Sequence, residues 1–139
     1  MSALHVSLDV SNLEKSLAFY ASLFGKPVKQ KPDYVKFVGS SPELHLALQS
    51  SVSAFSQRGA LSHLGIRVDS VDEVHRRHAS LRERGLSPGA IERSDCCYAV
   101  QEKFWLADPD GNRWEIYAVL EDREAAASCG PGTACCQEA

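Results

Sequence analysis

Alternating apolar and polar residues mark two short segments that lie far apart in the chain. The apolar positions are Leu4, Val6, Leu8 and Val10 in the first segment and Leu64, Ile66 and Val68 in the second. Because successive side chains of a β-strand point to opposite faces, this pattern predicts two strands, each buried on one face. After each strand, apolar positions recur at intervals of three and four, namely at Leu13, Leu17, Tyr20 and Phe24 and at Val71, Val74, His78 and Leu81. That spacing predicts an amphipathic helix behind each strand.

The two segments form an internal repeat, since residues 5–25 and residues 63–85 follow the same plan from a histidine to a glycine. Each predicted helix opens with a capping-box pattern, Ser11 with Glu14 and Ser70 with Glu73, and ends near a glycine. Further strands are predicted at 34–38, 44–48, 97–100, 104–107 and 114–119, with a turn at 108–112. The halves are therefore predicted to be β-α-β-β-(β) and β-α-β-β-β.

Length and composition predict one α+β domain with a flexible tail. A chain of 139 residues that is 44% hydrophobic can bury a single core, which we place in residues 1–120 as modules 1–50 and 61–120. Residues 49–60 lack either periodicity and are predicted to link the modules. Residues 121–139 contain few bulky apolar side chains and are predicted to form a mobile tail.

Charge and cysteine content limit the partners and the compartment. A formal net charge of -3 gives no general attraction to phosphate backbones or anionic lipids, so neither a nucleic-acid nor a membrane partner is expected. The first residues show no basic leader, and no stretch approaches the length of a membrane span, which predicts a cytoplasmic protein. The five cysteines are an odd number in two clusters, unlike a secreted disulfide framework, so they are expected to be thiols.

Strand parity brings three side chains of metal-ligand type to one face. If the apolar positions of the first strand face the helix, His5 points to the opposite face, and the repeat puts His63 there too. In the last predicted strand Trp114 and Ile116 take the buried parity, so Glu115 points the same way as the histidines. A single histidine at a strand start is more often packed or exposed than a ligand, but its recurrence in the repeat favours a metal site. Two imidazoles and one carboxylate are typical of nonheme Fe(II) oxygenases, although zinc, manganese, cobalt or nickel also suits these ligands.

The other histidines have weaker claims. Aligning residues 44–46 with residues 114–116 makes His45 the symmetry mate of Glu115. His45 is then a fourth ligand, a group behind the ligands or a residue that lines the site, and we favour the last two. His75 and His78 lie on the second predicted helix, where packing or the solvent face accounts for them.

Two runs in the second half resemble a known family. The sequence CCYAVQEKFW at 96–105 is followed by DPDGNRWE at 108–115, and together they resemble the carbon-arsenic lyases of the vicinal oxygen chelate superfamily. They are also similar to a related group of cadmium-inducible proteins. The resemblance covers nearly the whole chain through Val119. It implies two βαβββ modules that form an open β-barrel cup around a metal.

The resemblance also implies an activity and its residues. It implies Fe(II)- and dioxygen-dependent cleavage of trivalent organoarsenicals, methyl or aromatic, to arsenite, with His5, His63 and Glu115 as metal ligands. It assigns Cys96 and Cys97 as the pair that binds arsenic. Cysteines are commonly buried as small hydrophobes, but As(III) is a soft centre that favours thiolates over oxygen ligands.

Two alternatives stay open from the sequence. One is a glyoxalase-like lyase or isomerase that needs no dioxygen and uses His45 as a ligand. The other is a non-enzymatic protein that binds cadmium or arsenite through thiols. Two roles stay open for Cys129, Cys135 and Cys136 of the predicted tail, which either capture metalloid ions and hand them on or have no specific function. Some members of the superfamily exchange modules between subunits, so a homodimer is also possible, although both modules within one chain favour a site within that chain.

Overall fold

The computed structural model describes residues 3–40, 42–51, 61, 63–95 and 99–122. The chain divides into two compact units, Met1–Ala60 with Ala107–Asn112 and Leu61–Leu106 with Arg113–Ala139. Each unit contains one copy of the repeat that the sequence predicts.

The first unit is a four-stranded sheet with one helix. In chain order its elements are β1 (Leu4–Val10), α1 (Leu13–Phe24), β2 (Lys29–Lys31), β3 (Tyr34–Ser40) and β4 (Glu43–Ser50). The strand order is β1-β4-β3-β2, with β1 parallel to β4 and the other pairs antiparallel. Helix α1 packs on β3 and β4. The core side chains are Phe19, Tyr20, Val35, Phe37, Leu46 and Leu48. Burying side chains of this size contributes about 1.5–3 kcal/mol each.

The second unit repeats this arrangement. Its elements are β5 (Leu64–Arg67), α2 (Val71–Glu83), β6 (Glu92–Asp95), β7 (Ala99–Ala107) and β8 (Arg113–Asp122). The strand order β5-β8-β7-β6 matches that of the first unit, with β5 parallel to β8. Helix α2 packs on β8 over a core of Ile66, Val68, Val74, Leu81, Phe104, Leu106 and Ile116. The predicted α+β class and the predicted strand and helix at the start of each half are confirmed, whereas β2 lies outside the strands predicted for the first half.

The capping prediction is right for one helix and wrong for the other. Ser70 caps α2, and its hydroxyl accepts a hydrogen bond from the backbone amide of Glu73 at 3.2 Å. The cap of α1 is Asn12 rather than Ser11. The amide and hydroxyl of Ser11 instead donate to the carboxylate of Asp110. Because serine and asparagine cap helices almost equally well, this distant partner decides which residue takes the role.

The strands of the second half differ from the prediction in two ways. The predicted strands 97–100 and 104–107 contribute to one continuous strand, β7, and residues 96–98 lie outside the described residues. Strand β6 was not predicted, because its sequence ERSD has no apolar position from which to read an alternation. It pairs with β7 on backbone hydrogen bonds at the edge of the sheet, where charged side chains discourage pairing with another chain.

The predicted turn at 108–112 is confirmed, and it belongs by contact to the first unit. The carboxylate of Asp108 is buried, and it accepts hydrogen bonds from the backbone amides of Asp110 and Asn112 at 3.0 and 2.7 Å. It also accepts one from the phenol of Tyr20 in α1 at 2.6 Å. Gly111 has a φ of 85°, which a residue with a side chain rarely adopts. The turn is therefore fixed from both sides, by its own amides and by the helix.

The predicted linker and tail are largely beyond what the structure describes, since residues 52–60 and 123–139 lie outside the described residues. The bounds of the domain and of the tail stay predictions. Neither helix in the described part of the chain has the length and the apolar run that a membrane span requires.

Candidate metal centre

Strand β8 carries Glu115 between two core residues. Trp114 and Ile116 are buried, so alternation along the strand turns Glu115 to the opposite face of the sheet, as the parity argument predicts. Glu115 is itself only 9% exposed. A carboxylate so far removed from water must be paired with a cation or with hydrogen-bond donors.

The two oxygens of Glu115 have different neighbours. Its Oε1 accepts a hydrogen bond from Nζ of Lys103 at 2.9 Å. Its Oε2 lies 3.6 Å from Nε2 of His63. His63 immediately precedes β5, which runs parallel to β8 in the same sheet. The structure thus brings together two of the three metal ligands that the sequence predicts.

The spacing of His63 and Glu115 is close to that of two ligands of one divalent metal. Two donors that each lie about 2.1 Å from a shared ion are about 3.0 Å apart in an octahedral site and about 3.4 Å apart in a tetrahedral site, and Nε2 and Oε2 are 3.6 Å apart. Gly65 pairs with Glu115 across the two strands. A Cβ at Gly65 would lie 3.7 Å from Oε2 and 3.3 Å from the ring of Tyr117, so glycine keeps the space beside that oxygen open. An imidazole nitrogen and a carboxylate oxygen are ligands that zinc and first-row metals such as iron accept.

His5 lies on β1 of the first unit, where its direct partner on the parallel strand β4 is His45. His5 is exposed and His45 is half-buried. On the far side of β4, His45 pairs with Val38 of β3. The first unit therefore places two imidazoles at adjacent register positions, whereas the second places one imidazole near a carboxylate.

The predicted symmetry between His45 and Glu115 is wrong in register. Matching the strands of the repeat makes Gly65 equivalent to Ser7, and Glu115 is the partner of Gly65. The partner of Ser7 is Ala47, which therefore occupies the position of Glu115 in the first unit. The similar sequences around His45 and Glu115 do not occupy equivalent pairing positions. The pairing of β4 with β1 is shifted by two residues relative to the pairing of β8 with β5.

The described residues of each unit lack a set of three metal ligands. Within each unit, the described residues contain no group of three histidine, cysteine, aspartate or glutamate side chains positioned for one metal ion. The predicted set takes His5 from the first unit and His63 with Glu115 from the second. The predicted arsenic-binding pair, Cys96 and Cys97, lies outside the described residues, between Asp95 at the end of β6 and Ala99 at the start of β7.

Lys103 is the residue of this site that the sequence reasoning missed as a partner of Glu115. It is 5% exposed and lies on β7, next to β8 in the sheet. Lysine is almost never buried unless it is paired, so a single lysine in a strand is expected to reach solvent. The signal that could have identified it is its position directly before the apolar run Phe104-Trp105-Leu106.

Aromatic contacts surround the ion pair. The ammonium of Lys103 lies 5.5 Å from the ring centroid of Trp105, and the guanidinium of Arg113 lies 4.2 Å from it. The ring of His63 meets Trp105 edge to face at 5.2 Å. Trp105 thus restricts the orientation of the imidazole that faces Glu115, and cation-π contacts of this kind contribute roughly 0.5–2 kcal/mol each.

The chain is similar in sequence and in fold to known proteins. Residues 2–116 match the model of the Glyoxalase/Bleomycin resistance protein/Dioxygenase superfamily. The crystal structure of a glyoxalase/bleomycin resistance protein/dioxygenase from Alicyclobacillus acidocaldarius is similar with a TM-score of 0.70 and 18% identity, over 86% of this chain and 92% of that chain. At this identity the likeness shows the fold alone, and it confirms the glyoxalase fold that the sequence predicts.

Two relatives are more similar in sequence. The chain is 43% identical over 136 residues to the trivalent organoarsenical cleaving enzyme of a Bacillus species, which covers 96% of this chain and 83% of that protein. It is 40% identical over 132 residues to the cadmium-induced protein CadI of Mycobacterium tuberculosis, which covers 94% of this chain and 84% of that protein.

Proposed function

We propose a function from the premise that this chain belongs to the Glyoxalase/Bleomycin resistance protein/Dioxygenase superfamily. The function is Fe(II)- and dioxygen-dependent cleavage of the carbon-arsenic bond of trivalent organoarsenicals, with arsenite as a product. The observation that carries the metal chemistry is the approach of His63 Nε2 to Glu115 Oε2 at 3.6 Å. The substrate class is supported by the 43% identity to a trivalent organoarsenical cleaving enzyme.

His5, His63 and Glu115 would hold the metal in this proposal. The last two are neighbours in the second unit, and His5 occupies the position in the repeat that corresponds to His63. Two histidines and one carboxylate leave coordination positions open and are typical of nonheme iron oxygenases, which favours Fe(II) over zinc, manganese, cobalt or nickel. When bound, Fe(II) supplies the one-electron chemistry that allows dioxygen to react with an organic substrate.

Cys96 and Cys97 would hold the arsenic. As two As–S bonds form, the hydroxyl groups of methylarsonous acid leave with the thiol protons as two water molecules, and the carbon substituent stays on arsenic. Thiolates suit this soft centre better than oxygen ligands do. A short spacer connects the pair to β7, the strand that carries Lys103 beside Glu115. The chain thus has separate groups for the metal and for the arsenical.

The overall reaction balances without a further reductant. Methylarsonous acid, CH3As(OH)2, and one O2 together contain the atoms of one formaldehyde and one arsenous acid, As(OH)3. The C–As bond breaks and oxygen becomes bonded to the carbon and to the arsenic. The carbon loses the four electrons that dioxygen gains, while arsenic keeps its trivalent state.

The test is arsenite formation under controlled gas. Purified protein is loaded with Fe(II) under anaerobic conditions, methylarsonous acid is added, dioxygen is admitted, and arsenite is followed by chromatography with arsenic-specific detection. Arsenite is expected only when Fe(II) and dioxygen are both present, with an equal amount of formaldehyde. Binding of the arsenical without arsenite in any of these mixtures would contradict the proposal.

A pair of cysteine variants tests the assignment of the arsenic site. Cys96→Ser is expected to lose cleavage, whereas Cys129→Ser, its matched control in the predicted tail, is expected to keep the rate of the unmodified protein. Equal rates for Cys96→Ser and the unmodified protein would remove the vicinal pair from the proposal.

The 40% identity to a cadmium-induced protein supports a second candidate, a non-enzymatic protein that binds soft metal ions through thiols. That function predicts Cd(II) binding that survives Glu115→Ala and His63→Ala, with no product from any organoarsenical. The cleavage experiment separates the two candidates, since only an enzyme releases arsenite and formaldehyde from the arsenical.

A further inference from the structure

Lys103 is a buried cation next to the proposed metal position. Its side chain is 6% exposed, and that of Glu115 is 11% exposed. Their atoms Nζ and Oε1 are 2.9 Å apart, a distance typical of a charge-assisted hydrogen bond. Removing one partner of such a pair leaves the other charged and buried, which proteins tolerate poorly. Each member of the pair therefore needs the other to remain charged and buried on this face of the sheet.

The contacts of Glu115 divide its carboxylate into two functions. Lys103 engages Oε1, whereas Oε2 faces His63 and the space that Gly65 leaves open. An ammonium is a compact charge that attracts one oxygen, and it does not bridge both oxygens as the planar guanidinium of arginine does. The residue type at position 103 thus leaves the oxygen nearer to His63 available.

We propose that Lys103 is a positioning residue of the metal centre. It holds Oε1 of Glu115, so that Oε2 alone is presented to a divalent metal beside His63, and it neutralises the carboxylate when no metal is bound. This inference rests on the metal site of the proposed function, but it does not depend on which substrate is cleaved. Because the ammonium repels a second cation, Lys103 also keeps the affinity for metal below the value that His63 and Glu115 would otherwise give.

Two substitutions at this position predict opposite results. Lys103→Met removes the charge and frees both carboxylate oxygens while it keeps a long apolar stem, so Co(II) is expected to bind at least tenfold more tightly. Lys103→Arg keeps the charge but engages both oxygens through its planar fork, so Co(II) is expected to bind at least tenfold more weakly. Lys29→Met, which removes an exposed lysine from β2, is the matched control and is expected to leave the affinity unchanged.

The measurement is competition for Co(II) against a chromophoric chelator, together with the visible absorption of the bound cobalt. Weaker d–d absorption in Lys103→Met than in the unmodified protein is expected, because a second carboxylate oxygen raises the coordination number. Circular dichroism at the temperature of the titration checks that each protein is folded. If metal-free Lys103→Met is unfolded, Lys103→Arg still tests the proposal, since its charge is retained.

The order of affinities decides the outcome. A Co(II) affinity that is highest in Lys103→Met, intermediate in the unmodified protein and lowest in Lys103→Arg supports the positioning role. An unchanged or weaker affinity in Lys103→Met, with the protein folded, would overturn it, because a merely structural lysine lowers metal binding when it is lost. Co(II) binding that His63→Ala and Glu115→Ala do not weaken would overturn the inference together with the metal site. The expected order in a protein that cleaves no organoarsenical would support the inference and contradict only the proposed activity.

Discussion

The two units have the same order of strands but differ in what their sheets carry at equivalent positions. The second unit has Glu115 opposite Gly65 and supports its carboxylate with Lys103, whereas the first has Ala47 at that register position and a pair of histidines, His5 and His45. A repeated scaffold thus keeps its helix and its apolar face, while the opposite face changes freely. The copies share their apolar positions and the histidines His5 and His63, and they differ at the register position of Glu115.

The comparison depends most on Glu115, which has no counterpart in the first unit. Glu115→Ala is expected to lower arsenite formation at least a thousandfold, about 4 kcal/mol in the activation free energy. It is also expected to destabilise the fold by about 3–5 kcal/mol, because Lys103 stays buried without its partner. Glu43→Ala, at the exposed start of strand β4, is the matched control. A similar loss in both variants would mean that the buried carboxylate has no special role.

Alanine variants of the three histidines measure how much each unit contributes to Co(II) affinity. His63→Ala is expected to weaken Co(II) binding at least a hundredfold, about 2.7 kcal/mol, and His5→Ala is expected to do the same if the proposed set is right. His45→Ala is expected to change the affinity less than threefold, since it occupies the register position next to His5 rather than that of Glu115. Isothermal titration calorimetry measures all three. A large loss in His45→Ala would instead favour a four-ligand site of the glyoxalase type.

A hydrogen bond within the first unit joins helix α1 to the turn at 108–112. Tyr20→Phe removes the hydrogen bond from the phenol to the buried carboxylate of Asp108 and is expected to lower the free energy of unfolding by about 1.5–3 kcal/mol. Tyr34→Phe, at the half-buried start of β3, is the control and should lower it by less. Urea unfolding measures both. Equal values would show that the phenol does not stabilise the turn.

The helix caps are expected to contribute equally in the two units. Asn12→Ala and Ser70→Ala each leave a backbone amide in the first turn without its acceptor, which costs about 1 kcal/mol. Ser11→Ala is expected to cost less if its role is only the contact with Asp110. Thermal unfolding followed by circular dichroism measures these differences. A larger loss in Ser11→Ala than in Asn12→Ala would reverse the assignment of the cap.

The smallest effect is a pH dependence that belongs to α2. The hydrogen bond from Arg77, with the charges of Arg76 and Arg77, holds the pKa of Glu73 below its usual value of 4.5. A lowered folded-state pKa stabilises the protein above the unfolded-state value, and this stabilisation is lost as the pH falls through the folded-state pKa. Glu73→Gln is therefore expected to reduce the stability difference between pH 6 and pH 3 by about 0.5 kcal/mol in urea unfolding. An unchanged difference would assign the pH dependence to other carboxylates.

Much of this molecule follows from period and parity. The alternation around Leu64 and Trp114 predicts two strands and also predicts that His63 and Glu115 share a face, because side-chain direction in a strand is fixed by position alone. Strand β6 could not be predicted in this way, since its residues are all polar and its pairing depends only on the backbone. The cap at Asn12 could not be predicted either, because a contact between Ser11 and Asp110 decides between neighbouring residues of equal capping propensity.

The register position of His45 and the burial of Lys103 could not be predicted from a single sequence. The sequence around His45 resembles that around Glu115, but resemblance along a strand does not specify which residue of the neighbouring strand lies opposite. Lys103 is buried because Glu115 is within reach, and that distance is a property of two strands rather than of either one. Local patterns therefore predict which residues share a face, and only the pairing of strands predicts which of them meet.

The turn at 108–112 lies in the second half of the sequence but belongs to the first unit of the structure. Residues 107–112 follow the second helix along the chain, yet they complete the first unit and provide the acceptor for Tyr20. A fragment cut at the junction of the repeats would contain the whole first copy and still lack this acceptor, so we expect it to fold poorly until the second fragment is added. A chimaera that exchanges one half with a relative must therefore move this hairpin tip with the first half, or supply an aspartate there from the other parent.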